Sequence, residues 1–68
     1  MAKRPTRRII VDRLEATVRL LERAEDQLAR ASALYYERGA KEGALVDQLS
    51  QAIKLIREQV IRFRRERA

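Results

Sequence analysis

Nine cationic side chains crowd the two ends of this 68-residue chain: Lys3, Arg4, Arg7 and Arg8 at the start, and Arg57, Arg62, Arg64, Arg65 and Arg67 near the finish. Guanidinium groups at that density suit phosphate, because each carries a fixed charge and a planar fork of donors that matches phosphate oxygens. The charge is not evenly spread. Residues 1–8 hold four positive charges and no acid, and residues 54–68 hold six against Glu58 and Glu66, while residues 9–53 are net acidic. A cationic cluster of this kind is the electrostatic footprint of a protein that neutralises a nucleic-acid backbone.

The neighbouring residue types narrow the ligand. Phe63 is the only aromatic near the basic ends, and Tyr35 and Tyr36 lie mid-chain. Single-stranded nucleic acid is held on several aromatic platforms interleaved with basic residues, and these are missing. The chain contains no Asn, and no Gln lies at the basic pole, so bidentate adenine readout there is absent. The expected partner is therefore double-stranded DNA, bound through its phosphates without regard to sequence.

Other chemistry has little to work with. There is no Cys and no His. Thr6, Thr17, Ser32, Ser50, Tyr35 and Tyr36 have no imidazole or thiolate beside them to act as base or nucleophile. The densest acidic group, Glu22, Glu25 and Asp26, lacks the Glu-x-x-His pattern of metal sites in helical bundles. The chain is expected to be no enzyme, and to take no cofactor and no metal.

The elements that must position the arginines are helices. No Gly or Pro interrupts the sequence between Pro5 and Gly39, and the only two glycines, Gly39 and Gly43, flank Ala40-Lys41-Glu42. Before this break, Ile10, Leu14, Thr17, Leu21, Ala24, Leu28, Ala31 and Tyr35 repeat at spacings of four and three. After it, Val46, Leu49, Ile53, Ile56, Val60 and Phe63 do the same. Each is an apolar heptad stripe. The spacing predicts an all-α fold: helix 1 over 5–38, a turn over 39–43 with Gly39 as C-cap, and helix 2 over 44–67, packed as an antiparallel αα-hairpin within a single domain. One continuous rod is the rival, since the heptad frame nearly persists through the break. Two glycines and the charged residues between them favour the turn.

Folding back brings residues 1–8 beside residues 57–68, so the two basic segments fuse into one pole. The helix seam is expected to contain Ile10, Leu14, Leu21 and Leu28 on helix 1, and Val46, Leu49, Ile53, Ile56, Val60 and Phe63 on helix 2. Val11, Val18, Leu20, Leu34, Leu55 and Ile61 fall off these stripes. A second set of apolar positions marks an oligomer contact, expected as a dimeric four-helix bundle or a higher helical assembly. Arg8–Asp12, Glu15–Arg19 and Asp26–Arg30 stand at i,i+4 spacing and read as pairs along the exposed face of helix 1.

After Lys3-Arg4-Pro5-Thr6-Arg7-Arg8, only Ile9, Ile10 and Val11 precede Asp12, which is too short an apolar run for a secretory leader. No stretch reaches the ~20 apolar residues of a membrane span. The reading is a self-associating protein of the cytoplasm, nucleoid-associated, or of the interior of a virus particle, where it would coat or package DNA. In layout it is similar to small plasmid-encoded hairpins that dimerise into four-helix bundles, and to coat proteins of helical viruses whose basic helix ends face the DNA. A protein-interaction adaptor and a small RNA-binding regulator are the alternatives.

Overall fold

Residues 6–67 are described by a computed structural model of the chain. They form two antiparallel helices, α1 (Thr6–Glu37) and α2 (Glu42–Arg67), and the hairpin spans 61 × 20 × 10 Å. Lys3, Arg4 and Pro5 lie outside the described residues.

Gly39 ends α1 by adopting a left-handed conformation, with φ +67°. A side chain there would meet its own backbone, so glycine is the residue that fits. The amide of Ala40 then donates to the Tyr35 carbonyl at 2.9 Å, and that of Gly39 donates to the Tyr36 carbonyl at 2.9 Å. These two bonds form a Schellman cap, which satisfies carbonyls that the helix end would otherwise leave open. The chain re-enters a helix almost at once. Gly43 N–H donates to Ala40 O at 3.3 Å and Ala44 N–H to Lys41 O at 3.1 Å.

The turn is thus shorter than the spacing of the glycines implies, because Gly43 belongs to α2. Its role is steric. A Cβ at residue 43 would lie 3.2 Å from three atoms of the Tyr36 ring, closer than side chains ordinarily pack. Tyr36 cannot swing away freely, since its hydroxyl is bonded to Asp47. Gly43→Ala should therefore destabilise the wild-type protein, although alanine is the better helix former by up to ~1 kcal/mol. In a Tyr36→Ala background the obstruction is gone, and the same substitution should stabilise. A double-mutant cycle by chemical denaturation checks this, and the sign reversal is the diagnostic outcome.

The helices meet along rows rotated from the expected seam. On α1 the half-buried positions include Val11, Leu14, Val18, Leu21, Glu25 and Leu28, ending at buried Ser32. On α2 they include Val46, Ser50, Ile53, Arg57, Val60 and Arg64, beginning at buried Gly43. Leu14, Leu21, Leu28, Val46, Ile53 and Val60 lie in the contact as expected. Ile10, Leu49, Ile56 and Phe63 do not, being between 45% and 57% exposed. Val11, Val18 and Ile61, expected at an oligomer contact, are half-buried along the hairpin itself. The physical reason is that charged residues occupy contact positions and bond across the hairpin. That turns each helix so that one apolar row is left outside.

Candidate nucleic-acid interface

Three polar links cross from α1 to α2, all on one flank. Nearest the turn, the Ser32 hydroxyl donates to Asp47 Oδ1 at 2.5 Å, and the Tyr36 hydroxyl donates to Asp47 Oδ2 at 2.9 Å. Ser32 is only 4% exposed, and its oxygen also lies 3.3 Å from the Gly43 carbonyl. Its single proton goes to the nearer, charged acceptor. In the middle of the hairpin, Arg57 grips Glu25 with two donors: Nε to Oε2, and Nη2 to Oε1 at 3.3 Å. At the open end, Arg64 Nη1 donates to Glu15 Oε1 at 2.5 Å.

The hydroxyl of Ser32 and then that of Tyr36 hold the Asp47 carboxyl below the usual carboxylate range, against the opposing pull of burial. The same bond pushes the Tyr36 phenol up. Because the folded pKa of Asp47 is depressed, its contribution to stability is complete above the unfolded value, about 3.9. It is lost as pH falls through the lower folded value. A carbon-detected NMR titration should place the Asp47 midpoint below that of a free Asp. Ser32→Ala should raise it more than Tyr36→Phe does. A midpoint at or above the free value would remove the link from the fold's support.

These links change the inventory of the basic end. Arg57 and Glu25 side chains are each 21% exposed, and Arg64 and Glu15 are 38% and 41% exposed. Both arginines, expected to face phosphate, already face a carboxylate. The Glu25 carboxylate pushes the Arg57 pKa further up, outweighing its desolvation, so that guanidinium stays charged and committed. Glu15 reaches Arg64 across the hairpin, where local spacing suggests Arg19. Asp26–Arg30 forms as an i,i+4 pair at 2.9 Å.

What remains at that end is still basic. Arg8, Arg62 and Arg65 are exposed, and no ion pair holds them among the described residues. Arg7 is also exposed at the start of α1. Arg67 lies over the Phe63 ring at 5.9 Å from its centroid, a cation–π distance. Arg64, Arg65 and Arg67 occupy the last turn of α2, where they complement the negative end of the helix dipole. Arg8 has no such local reason. It sits at the start of α1, which has no acid in its first turn and is already the positive end of its dipole.

Comparison with protein families, with curated proteins and with solved structures finds no match. The site therefore rests on its own geometry. No helix among the described residues is long and apolar enough to cross a membrane. No acidic group among them is arranged to hold a metal ion.

The polar links had weak signatures in the sequence. Glu25 shares a heptad row with Val11 and Val18, and Arg57 and Arg64 stand three or four residues from Ile53, Val60 and Ile61, which marks them as contact residues once the register is known. Their pairings span 32 and 49 residues, so no local spacing shows them. Ser32 and Asp47 carry no signal beyond falling on either side of the turn.

Proposed function

We propose that this chain is a small architectural protein that self-associates through its apolar flank and binds duplex DNA through its basic end, without sequence preference. The observation that carries the reading is the position of Arg8. It stands against the helix dipole at the same end of the hairpin as Arg62 and Arg65. Clustered like charge that opposes the local field costs folding energy, and an anionic partner offsets that cost. A duplex supplies such a partner along a continuous line, and its phosphates need no aromatic platform.

The interface is narrower than the count of terminal arginines suggests. Arg57 and Arg64 belong to the hairpin, which leaves Arg8, Arg62, Arg65 and Arg67 of the described residues to face phosphate. Lys3 and Arg4 extend the same charge in sequence. A coating or packaging role, in a nucleoid, a plasmid complex or a virion, follows from pairing a self-associating body with a non-specific basic end. Fluorescence anisotropy of labelled duplexes of unrelated sequence at low salt tests it. Binding of all within a few-fold is expected.

A second reading has its own support. A hairpin whose polar links sit on one flank and whose apolar residues sit on the other is built to receive a protein there. If no duplex binds at low salt, the chain is a protein-interaction module and the arginines keep it soluble.

A further inference from the structure

Leu49, Ile56 and Phe63, three of the large apolar residues left outside the hairpin contact, lie in one row at seven-residue spacing. In an antiparallel helix pair, the rows next to the contact on one side of both helices face the same way. The three polar links occupy one such side. The other carries Thr17, Ala24 and Ala31 from α1, and Leu49, Ile56 and Phe63 from α2. An open groove there brings Leu14 together with Ile56, Gln59, Val60 and Phe63. Not one large apolar side chain among the described residues is buried.

We infer that a second copy of this chain covers that flank, with both turns at the same end and both basic ends together. This rests on the self-association proposed above and adds the surface and the orientation. The area suffices: a flank of 61 by 20 Å has an outline of ~1,200 Å², above the ~800 Å² per partner of a stable interface.

Size matching sets the orientation. The Glu25–Arg57 and Glu15–Arg64 links fix the register of the two helices. In that register Phe63, Ile56 and Leu49 lie level with Thr17, Ala24 and Ala31, large residues on one helix beside small ones on the other. A two-fold axis along the hairpin places α2 of each copy over α1 of the other at the same level. Large residues then enter the troughs over small ones. A two-fold axis across the hairpin would oppose large to large and leave the small rows over a gap. The favoured arrangement brings like charge together. Residues 6–19 and 57–67 hold nine arginines and four acids, while residues 30–50 hold three bases and three acids. Two basic ends side by side form a doubled cationic surface for one duplex. Their repulsion is relieved by salt.

The test needs no nucleic acid, so its failure is separate from failure of duplex binding. A nitroxide on Lys41→Cys, in the exposed turn, reports orientation by pulsed electron spin resonance. The same-end dimer should give a label separation within ~30 Å, since bundle helices pack 8–10 Å apart. A separation near the 61 Å length of the hairpin overturns the orientation. Sedimentation supplies the second arm. Ile56→Asp should weaken association by ~100-fold, as loss of a central contact does. Leu55→Asp, on the outer face, should match the wild type within a few-fold, although Leu55 is 58% exposed and Ile56 46%. Wild-type association should strengthen as salt rises. A wild type that sediments as a monomer throughout, or an Ile56→Asp variant that associates normally, overturns the second copy as occupant.

Discussion

The thermal midpoint of this protein should climb with its concentration, by about 10 °C for a hundredfold increase. A 68-residue chain buries a modest share of its surface even when well folded. Here the hairpin alone buries only Ser32 and Gly43 among the described residues. In the proposed dimer the partner shields its apolar side chains, which would couple folding to association. A hundredfold concentration change shifts such an equilibrium by about 2.7 kcal/mol. Two chains of this length unfold with an entropy of roughly 0.3 kcal/mol per kelvin, which converts that shift to the stated rise. Circular dichroism melts at two concentrations a hundredfold apart decide it, and a constant midpoint would mean the hairpin is stable alone. Leu21→Asp should be unfolded at both. Leu21 is half-buried in the central row, and the proposed dimer would cover it further. Removing a leucine that is fully buried costs about 2–5 kcal/mol, and an unpaired carboxylate adds to that. Total stability near 0.05–0.15 kcal/mol per residue leaves little margin.

The elements themselves were legible in the sequence because their causes are local. Gly39 after a long run free of Gly and Pro specifies a helix end, and the capped turn forms there. Two apolar stripes at heptad spacing specify two helices that pack. The face of each helix that meets the other was not legible, and the reason is the width of the stripes. Each is apolar across more rows than one contact covers. Ile10, Ile56 and Phe63 are as apolar as Leu14, Ile53 and Val60, so apolarity cannot rank the rows. The choice is made by Glu25, Arg57, Glu15 and Arg64, whose pairing is long-range and whose residue types suggest solvent. Gly43 was misleading for a similar reason. Its missing side chain accommodates the Tyr36 ring, and the turn does not need it. The basic ends were legible as charge. That two of their arginines are held by the hairpin is visible only in three dimensions.

Duplex affinity should fall steeply with salt, and the arginines should divide into two classes. Each phosphate neutralised contributes about −0.9 to the slope of log K against log salt. One basic end that engages roughly four to six phosphates gives a slope of about −4 to −5. Between 50 and 200 mM salt that is a loss of about 10²–10³-fold in affinity. Arg62→Ala with Arg65→Ala should flatten the slope by roughly 2, because both are exposed and no ion pair occupies either among the described residues. Arg57→Leu with Glu25→Leu should leave the slope as it is. That pair removes one cation and its own counter-charge, so the duplex loses no contact it had. Arg38→Ala with Lys41→Ala, at the turn, should also leave it unchanged. The mid-helix Arg19 is a poor control, since it lines the same surface hollow as Glu15, Ile61 and Arg64. Equal flattening by the Arg57/Glu25 and Arg62/Arg65 variants would show that the hairpin link opens to bind phosphate, and the division drawn here would fail. Equal flattening by the Arg38/Lys41 variant would remove the basic end as the binding surface. With the slope carried by arginines outside the hairpin links, Arg62 and Arg65 among them, those links have a clear effect. They withdraw part of the terminal charge into the fold and leave the remainder aligned at one end, where a duplex can meet it.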